Sequence, residues 1–175
     1  MTKWLSHRMV ERGIIKEEEQ ELYQFGIRNG MILLLNVVTA LVIGLLTEQL
    51  AVVAVFTLSF MVLRSYTGGY HSDSRIFCYL GSNLVLLVPV YTQAVFYKTS
   101  LARLLAVLLV SAGIIFLLSP MHSKNRKLDK EEQKHFGRKA RLIAALELAV
   151  LGILWHAGQI PYAYAVYTGI CITAL

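Results

Sequence analysis

One polar stretch of the sequence brings a histidine and a cysteine close together, at His71 and Cys78. A cysteine becomes a nucleophile when a base removes its proton or an imidazolium lowers its pKa, and His71 is the residue that could do either. The glycine pair Gly68-Gly69 would free the backbone to adopt positive φ and to turn N–H groups toward a developing oxyanion. Arg64 could neutralise an acidic group of a substrate or stabilise the thiolate. This stretch is therefore the candidate for covalent chemistry.

The spacing of this pair limits the local structure. On one unbroken helix His71 and Cys78 would lie about 10.5 Å apart along the axis, whereas proton transfer needs about 2.6–3.2 Å or one bridging water. If they act together, the helix has to break between them. Ser72, Asp73 and Ser74 are all good N-cap residues, so a helix starting there would place Cys78 in its early turns. The positive end of the helix dipole would then help to lower the pKa of the thiol.

The residue types alone leave other interpretations open. A lone cysteine at the boundary of an apolar block is usually a small packing residue, and a lone histidine in a loop is usually solvated. A metal site needs three or four ligands, and only His71, Asp73 and Cys78 cluster here. We therefore expect neither a metal nor a cofactor.

The composition of the chain is that of a membrane protein. Among 175 residues, 56% are hydrophobic and 16% charged, with a mean hydropathy of +0.56, whereas average globular chains carry roughly 25% charged residues. Such a chain buries or inserts its apolar residues, which excludes disorder, and its two cysteines exclude a disulfide scaffold. The net charge of +6 does not indicate nucleic acid binding, because the basic residues lie between apolar blocks.

Six apolar blocks predict six membrane spans, since a hydrocarbon core of about 30 Å needs about 20 apolar residues. The second block has only 14 residues before Arg64 and could be re-entrant, but Arg64 can snorkel and the following Ser65 and Tyr66 lengthen it. We predict an all-α, polytopic integral membrane helical bundle of about six transmembrane helices, forming a single membrane domain over residues 1–175. The blocks are Ile27 to Thr47, Leu50 to Leu63, Phe77 to Phe96 (with Pro89 kinking it), Leu104 to Leu118, Leu142 to Ala157 and Ile160 to Leu175.

The first 30 residues differ from these blocks because they mix basic and acidic side chains with apolar residues at helical spacing. A signal peptide would need an uncharged apolar core there, so we expect none that is cleaved. The pattern predicts one or two short amphipathic helices with a break at Gly13. These helices could lie at the membrane interface or form a soluble cap, and the sequence leaves both possibilities open.

The loop charges predict the orientation, because Lys and Arg are retained in cytoplasmic loops. With the N-terminus inside, 15 of the 17 Lys and Arg residues lie on the cytoplasmic side. Both termini and the segment 64–78 then face the cytoplasm. The basic loop 119–141 also lies there, and we predict a solvated helix or hinge. It could anchor the chain to anionic lipid or contact a substrate.

Some polar and aromatic residues fall inside the apolar blocks. Glu147 is a functional candidate by position, although it could simply pair with Arg141 or lie near the end of the span. For Asn36, Asn83 and Gln93 we expect interhelical hydrogen bonds. We interpret Cys171 as an inert packing residue, and we predict that the tyrosines at 162, 164 and 167 form an interfacial belt.

The stretch around the histidine and cysteine resembles the signature of the accessory gene regulator B family, the membrane peptidases of Gram-positive peptide quorum sensing. That family has a His and a Cys seven residues apart, preceded by an Arg and a Gly pair. The size, the number of apolar blocks and the charged N-terminal segment are also similar. The matching residues are Arg64, Gly68, Gly69, Tyr70, His71, Ser74 and Cys78, with Pro120 followed by the basic residues Lys124, Arg126 and Lys127.

This resemblance implies a cysteine endopeptidase with His71 as the general base and Cys78 as the nucleophile. It implies that Cys78 cleaves a small precursor peptide on the cytoplasmic side, that a thioester acyl-enzyme forms, and that an internal Cys or Ser of the precursor then closes a thiolactone or lactone ring. The expected partners are the precursor of a signalling peptide, the lipid bilayer and a second copy in a homodimer, with no nucleic acid. Substrate binding or oxyanion support would fall to Arg64, Gly68, Gly69, Ser74, Lys124, Arg126 and Lys127.

A different class of function also fits six spans, namely a small multi-pass transporter or peptide exporter without covalent catalysis. Against it stands the scarcity of charged residues and broken helices near the middle of the spans, apart from Glu147 and Pro89. The two hypotheses differ at Cys78, because a peptidase loses its activity with Cys78→Ala and a transporter does not.

Overall fold

The structure is a computed structural model that describes residues 2–68, 75–120 and 130–175. For Thr2, Arg75, Ile76, Cys78, Lys130 and Glu132 it describes the backbone and not the side chain. Within these residues the chain folds into α-helices and one short 3-10 helix, Glu17–Glu19, without a β-strand. The helices are α1 (Thr2–Glu11), α2 (Gln20–Leu46), α3 (Leu50–Thr67), α4 (Arg75–Lys98), α5 (Leu101–Leu118), α6 (Lys130–His156) and α7 (Ile160–Thr173).

The predicted all-α membrane fold is confirmed, and each predicted span coincides with one helix from α2 to α7. Four stretches in the described part of the chain are long and apolar enough to cross a bilayer: Glu17–Leu46, Leu50–Thr67, Tyr79–Lys98 and Leu101–Leu118. The helix α7 has only 14 residues, and α6 carries charged residues along its first half. The crossing of the membrane by these last two helices stays a prediction.

The doubtful second block is one continuous helix. α3 extends over 18 residues, from Leu50 to Thr67, because Arg64, Ser65 and Tyr66 continue the helix that the apolar block begins. Two hydroxyl groups on α3 bond back to carbonyl oxygens four residues earlier, Thr57 to Val53 and Ser65 to Met61, both at 2.7 Å. These bonds satisfy polar side chains without help from water. The length favours a span over the re-entrant alternative.

The chain divides into two compact units, residues 1–39 and residues 40–175. In the first unit, α1 ends at Glu11 and Gly13 adopts a φ of 66°, which confirms the predicted break. The guanidinium of Arg8 lies 5.0 Å from the centre of the Trp4 ring. The predicted amphipathic N-terminal segment is therefore helical, while its place at a membrane surface stays a prediction.

The second unit is organised around α7, which contacts α3, α4, α5 and α6. Its buried side chains include the small residues Ala163, Ala165 and Gly169 and the large residue Tyr164. Lipid tails are as apolar as leucine, so helices in a membrane associate where small residues let their backbones approach. The residue types along α7 therefore account for its central position.

Large apolar side chains cover the outer surfaces of this unit. On α5, for example, Leu109, Val110 and Leu117 are exposed, whereas Ser111, Ala112 and Ile115 are buried. A helix that is apolar all round and only partly buried by protein is typical of a membrane span.

The predicted interfacial belt is wrong for Tyr164, which is 2% exposed and lies in the core. Its hydroxyl donates a hydrogen bond to the Pro89 carbonyl oxygen at 3.0 Å and lies 2.7 Å from Thr92 Oγ1. Because the hydroxyl has partners inside the protein, the ring can be buried. The neighbouring Tyr167 packs on Phe96, with ring centres 5.3 Å apart.

The prediction that the polar residues in the spans form interhelical hydrogen bonds is also partly wrong. Gln93 Nε2 donates to the hydroxyl of Tyr97 at 3.5 Å, one turn along its own helix. The side-chain oxygens of Asn36 and Asn83 are buried without a hydrogen-bond partner. Sequence position alone does not reveal which way such a side chain points.

Candidate functional site

The predicted catalytic segment, residues 64–78, begins in the last turn of α3. α3 ends at Thr67 and the described part of α4 runs from Arg75, and the two are not one continuous helix because Gly68 is not helical. Residues 69–74, which include Gly69, His71 and Ser74, lie outside the described residues. Cys78 lies on α4, three residues after Arg75, the first residue described in that helix, and its side chain is not among those described. The predicted helix start at Ser72–Ser74 lies outside the described residues. The geometry between His71 and Cys78 therefore stays a prediction.

Gly68 adopts a backbone conformation that other residues avoid. Its φ of 74° and ψ of −160° fall in a region open essentially only to glycine. The preceding residue, Thr67, is buried, and its hydroxyl donates to the Gly68 carbonyl oxygen at 3.4 Å. The predicted positive φ at the glycine pair is thus confirmed at Gly68. The predicted catalytic segment 64–78 therefore contains, at Gly68, a turn that needs a residue without a side chain.

Arg64 lies one turn before this glycine and reaches toward the end of α7. Its Nη1 donates a long hydrogen bond of 3.5 Å to the carbonyl oxygen of Thr173, the last residue of α7. The carbonyls at a helix C-terminus lack intrahelical partners and carry partial negative charge, so they favour a cation. Arg64 also lines a cavity of about 290 Å³ together with Phe60, Val85, Val88, Ile172 and Leu175. The contact holds one guanidinium nitrogen and leaves other N–H donors for a further partner.

The basic loop 119–141, predicted to be cytoplasmic and to form a solvated helix or hinge, is helical in its described part from Lys130 onward, where it belongs to α6. The predicted exposed helical stretch is confirmed for this part, and Lys134 Nζ lies 3.8 Å from Glu131 Oε1 one turn away. The candidate residues Lys124, Arg126 and Lys127 lie outside the described residues. Their relation to the catalytic segment is therefore still a prediction.

The beginning of α6 packs on the end of α3. The Tyr66 ring lies 6.2 Å from the Phe136 ring, and Lys139 Nζ lies 5.7 Å from the centre of the Tyr66 ring. This pairing combines aromatic packing with a cation–π contact. The contact brings Lys139 of the basic stretch against Tyr66, which precedes Gly68 by two positions in the sequence. The sequence did not predict this proximity, because 73 positions separate Tyr66 from Lys139.

Glu147 pairs with Ser59 and not with Arg141. Its Oε2 accepts a hydrogen bond of 2.9 Å from Ser59 Oγ, whereas Arg141 Nε donates to the Phe116 carbonyl oxygen at 3.0 Å. The expected pair between Arg141 and Glu147 is therefore wrong. Gly169 lies against the same serine, since a Cβ there would be 2.6 Å from Ser59 Oγ. This polar contact joins α3, α6 and α7 in the interior.

Cys171, the second cysteine, is half-buried and free. Its thiol makes side-chain hydrogen bonds with Ser111 and Tyr167. The predicted packing role agrees with this environment. Among the described residues, no three His, Cys, Asp or Glu side chains come together as a metal site would require.

Comparisons with known proteins give one family model and two relatives. The family model for accessory gene regulator B covers residues 1–175. A protein of Clostridium perfringens SM101, named only as AgrB-like, is 23% identical over 148 residues, which is 81% of this chain and 69% of the relative. A second AgrB-like protein, from C. perfringens strain 13, is 25% identical over 134 residues, 71% of this chain and 61% of the relative.

The chain therefore spans between three fifths and seven tenths of these relatives' lengths. No solved structure matches it. The match of the family model agrees with the resemblance seen in the stretch from Arg64 to Cys78, and it extends to both ends of the chain. The chain belongs to the accessory gene regulator B family and has a role in the accessory gene regulator system.

Proposed function

We propose that the chain is an integral membrane cysteine endopeptidase that cleaves, and then cyclises, a small precursor peptide to give a quorum-sensing autoinducing peptide. The observation that supports it best is the placement of the motif. α3 ends before a glycine-only turn at Gly68, and Cys78 lies on α4, whose described part runs from Arg75. The non-helical Gly68 separates the two helices, and the proposal needs α4 to begin between His71 and Cys78, which puts Cys78 in its early turns.

Early placement in a helix favours the thiolate of Cys78. The first four N–H groups of a helix have no intrahelical partner, and the macrodipole is positive at that end. Both effects stabilise a nearby anion and lower the pKa of a thiol. His71 takes the proton of Cys78, and the resulting ion pair is the reactive form.

The first half of the reaction cleaves the precursor. The Cys78 sulfur attacks the scissile carbonyl carbon, and the negative charge that develops on oxygen is met by backbone N–H groups at Gly68 and Gly69. The C–N bond then breaks, and the leaving amine takes the proton from His71. The N-terminal part of the precursor stays attached to Cys78 as a thioester, and the C-terminal tail departs.

The second half closes the ring. An internal Cys or Ser of the precursor attacks the thioester carbonyl, its proton passes to His71, and the new bond releases the Cys78 thiolate, which takes that proton back. A thioester conserves enough acyl reactivity for this exchange. A site that limits water favours cyclisation over hydrolysis. The net result is one amide exchanged for one thiolactone or lactone bond.

Substrate contacts come from the cations around this segment. Arg64, with one nitrogen on the Thr173 carbonyl, has donors left for an acidic group of the precursor, and Ser74, Lys124, Arg126 and Lys127 add further polar contacts. The site faces the cytoplasm together with both termini, because 15 of the 17 Lys and Arg residues lie on that side of the six predicted spans. The enzyme acts as a homodimer.

The first experiment measures the reactivity of Cys78 without a substrate. On a Cys171→Ser background, which keeps a hydroxyl for the contacts with Ser111 and Tyr167, the alkylation rate of Cys78 is followed against pH with His71 intact and with His71→Ala. We expect fast alkylation below pH 7 that slows about tenfold without His71, because a lowered thiol pKa keeps the thiolate populated. A titration near pH 8.5, the value of a free thiol, that ignores His71 would contradict an activated dyad.

The second experiment uses a small precursor peptide that has an internal Cys or Ser and a C-terminal tail, co-expressed with the protein. Cys78→Ala abolishes release of the C-terminal tail, while Cys171→Ser, the matched control at the other cysteine, retains it. Cys78→Ser separates nucleophilicity from size, and we expect it to be nearly inactive. Normal peptide maturation by Cys78→Ala would contradict the proposal and would favour the transporter.

A further inference from the structure

A lateral cleft opens between α4 and α5, at the end of these helices remote from Cys78. The two helices are joined by the short turn Thr99-Ser100, yet each packs more closely on α7 than on the other. The space between them has a volume of about 490 Å³. Its floor is formed by α7. Its walls are Val88 to Phe96 on α4, Thr99 in the turn, and Arg103 to Val107 on α5.

Among the described residues, the hydroxyl groups inside this cleft already make hydrogen bonds within the protein. The Tyr164 hydroxyl is engaged by Thr92 and the Pro89 carbonyl, and the Thr168 hydroxyl donates to the Tyr164 carbonyl at 2.8 Å. The Tyr167 hydroxyl and the Cys171 thiol form a hydrogen bond with each other. A peptide placed here would leave most of its backbone N–H and C=O groups unsatisfied, because the cleft has few side chains that can bond to them, and this is costly in an apolar site. Hydrocarbon carries no such groups.

The dimensions of the cleft match one leaflet of a bilayer. From Val88 to the end of α4 at Lys98 the helix rises about 15 Å, and half of a hydrocarbon core is about 15 Å. The rims are apolar and accessible from the side, with Val95 63% and Val107 50% exposed. An acyl chain can therefore enter laterally and lie along the whole length of the cleft.

The mouth of the cleft carries a positive charge. Arg103 lines it, is exposed, and has its Nε bonded to Ser100 Oγ at 3.2 Å. No ion pair occupies Arg103 among the residues that the structure describes. A guanidinium can bind a phosphate diester through two N–H groups. The adjacent N-terminus of α5, an 18-residue helix, also favours an anion.

We propose that this cleft binds a phospholipid, with one acyl chain between α4 and α5 on the floor of α7 and the headgroup phosphate at Arg103. A net negative phospholipid binds best, because Arg103 is the charged residue at the mouth. The site lies in the leaflet opposite to Cys78, and it does not depend on the proposed peptidase activity. The lipid fills the space that the splayed helices leave open.

The test counts lipids on the full-length chain by native mass spectrometry, after delipidation in detergent and titration with phosphatidylglycerol. We expect one tightly bound lipid per chain. Ala106→Phe, which fills the cleft from α5, weakens binding about tenfold or more. Arg103→Gln weakens it about fivefold, as expected for an exposed ion pair, and removes the preference for phosphatidylglycerol over phosphatidylcholine.

Matched controls come from the same helices. Ala94→Phe adds the same ring at an exposed position of α4 that does not line the cleft, and Lys98→Gln removes an exposed cation beside it. Both bind lipid as the parent chain does. Inorganic phosphate added together with phosphatidylglycerol does not reduce lipid binding, which distinguishes a phospholipid site from a simple anion site. Thermal melting of each variant establishes that the protein is folded.

Two outcomes would overturn the proposal. Many weakly bound lipids that ignore both Ala106→Phe and Arg103→Gln would show only the lipid shell common to membrane proteins. Efficient cross-linking between copies through Ala106→Cys, in a chain with Cys78→Ser and Cys171→Ser, would assign the cleft to a second copy of the chain.

Discussion

Helices α3 and α7 form a closed contact, in which they pack tightly. Helices α4 and α5 form an open contact, which leaves a cleft between them, although all four helices are strongly apolar. α3 and α7 approach so closely that Gly169 has no room for a Cβ beside Ser59, and Val53, Phe56 and Leu63 on α3 are almost completely buried. α4 and α5 instead leave a cleft of about 490 Å³. Apolar content therefore does not decide which helices pack in this chain.

The difference follows from residue size and from polar partners. α7 offers alanines and a glycine to α3, and the Ser59–Glu147 hydrogen bond adds a third helix to the same contact. α5 offers leucines and valines that remain exposed. In a bilayer, large aliphatic side chains gain as much from lipid as from protein, whereas small residues and hydrogen bonds favour protein contacts. The closed contact supports the end of α3 near the candidate site, and the open one lies at the far end of α4.

The strongest way to break the closed contact is Gly169→Val. We expect a loss of about 2–3 kcal/mol in the free energy of unfolding, because overpacking against Ser59 forces α3 and α7 apart. The measurement is thermal or denaturant unfolding in detergent. The control Gly113→Val lies on α5, where a Cβ meets nothing within 4 Å. Equal effects of the two variants would show that the close approach at Gly169 does not matter.

A smaller effect is expected from the polar contact in the same region. Ser59→Ala removes the donor to Glu147 Oε2 and should cost about 1 kcal/mol, since the carboxyl group keeps no replacement partner. Glu147→Gln preserves an acceptor for Ser59 Oγ and should be close to neutral. If Glu147→Gln destabilises the protein more than Ser59→Ala, the charge of Glu147 serves another purpose than this hydrogen bond.

A third change tests how α4 is attached to the core. Tyr164→Phe removes the hydroxyl that contacts Thr92 and the Pro89 carbonyl, and we expect a loss of about 0.6 kcal/mol, typical of hydrogen bonds between membrane helices. A double-mutant cycle with Thr92→Val measures the coupling of the two hydroxyls. Strict additivity of the two variants would contradict a direct bond.

The smallest effect belongs to the open contact. Ala106→Phe adds a ring in the cleft between α4 and α5, and we expect the free energy of unfolding to change by less than about 0.5 kcal/mol, as for other substitutions at exposed positions. The same unfolding assay applies. A loss as large as that of Gly169→Val would mean that α4 and α5 close on each other, and the comparison of the two contacts would fail.

The spans were predictable because they depend on composition and length. The end of α5 before Ser119-Pro120 and the alignment of α3 with the second block follow from where charged and helix-breaking residues stand. The burial of Tyr164 and the bond of Gln93 within its own helix were not predictable. A helix that is apolar on all sides has no polar face, so the sequence does not indicate which side meets protein.

The candidate site likewise has some features that the sequence predicts and others that it does not. A positive φ at Gly68 could be anticipated, because a glycine pair after an apolar helix has few other uses. The contact of Arg64 with Thr173 and that of Tyr66 with Lys139 join residues 109 and 73 positions apart, and no local pattern encodes such distances. The pairing of His71 with Cys78 and the roles of Lys124, Arg126 and Lys127 stay predictions.

The continuity of α6 has a consequence for the basic residues at its start. From Lys130 to His156 it is one helix of 27 residues, about 40 Å long, so the segment 130–141 is a rigid extension of the apolar segment that follows. One residue inserted after Ala140 would rotate Lys139 by about 100° around the helix axis and turn it away from Tyr66, with every charge retained. The continuous helix α6 fixes the angle around its axis at which its charged half faces relative to its apolar half. Deletions or insertions there should therefore be more harmful than substitutions.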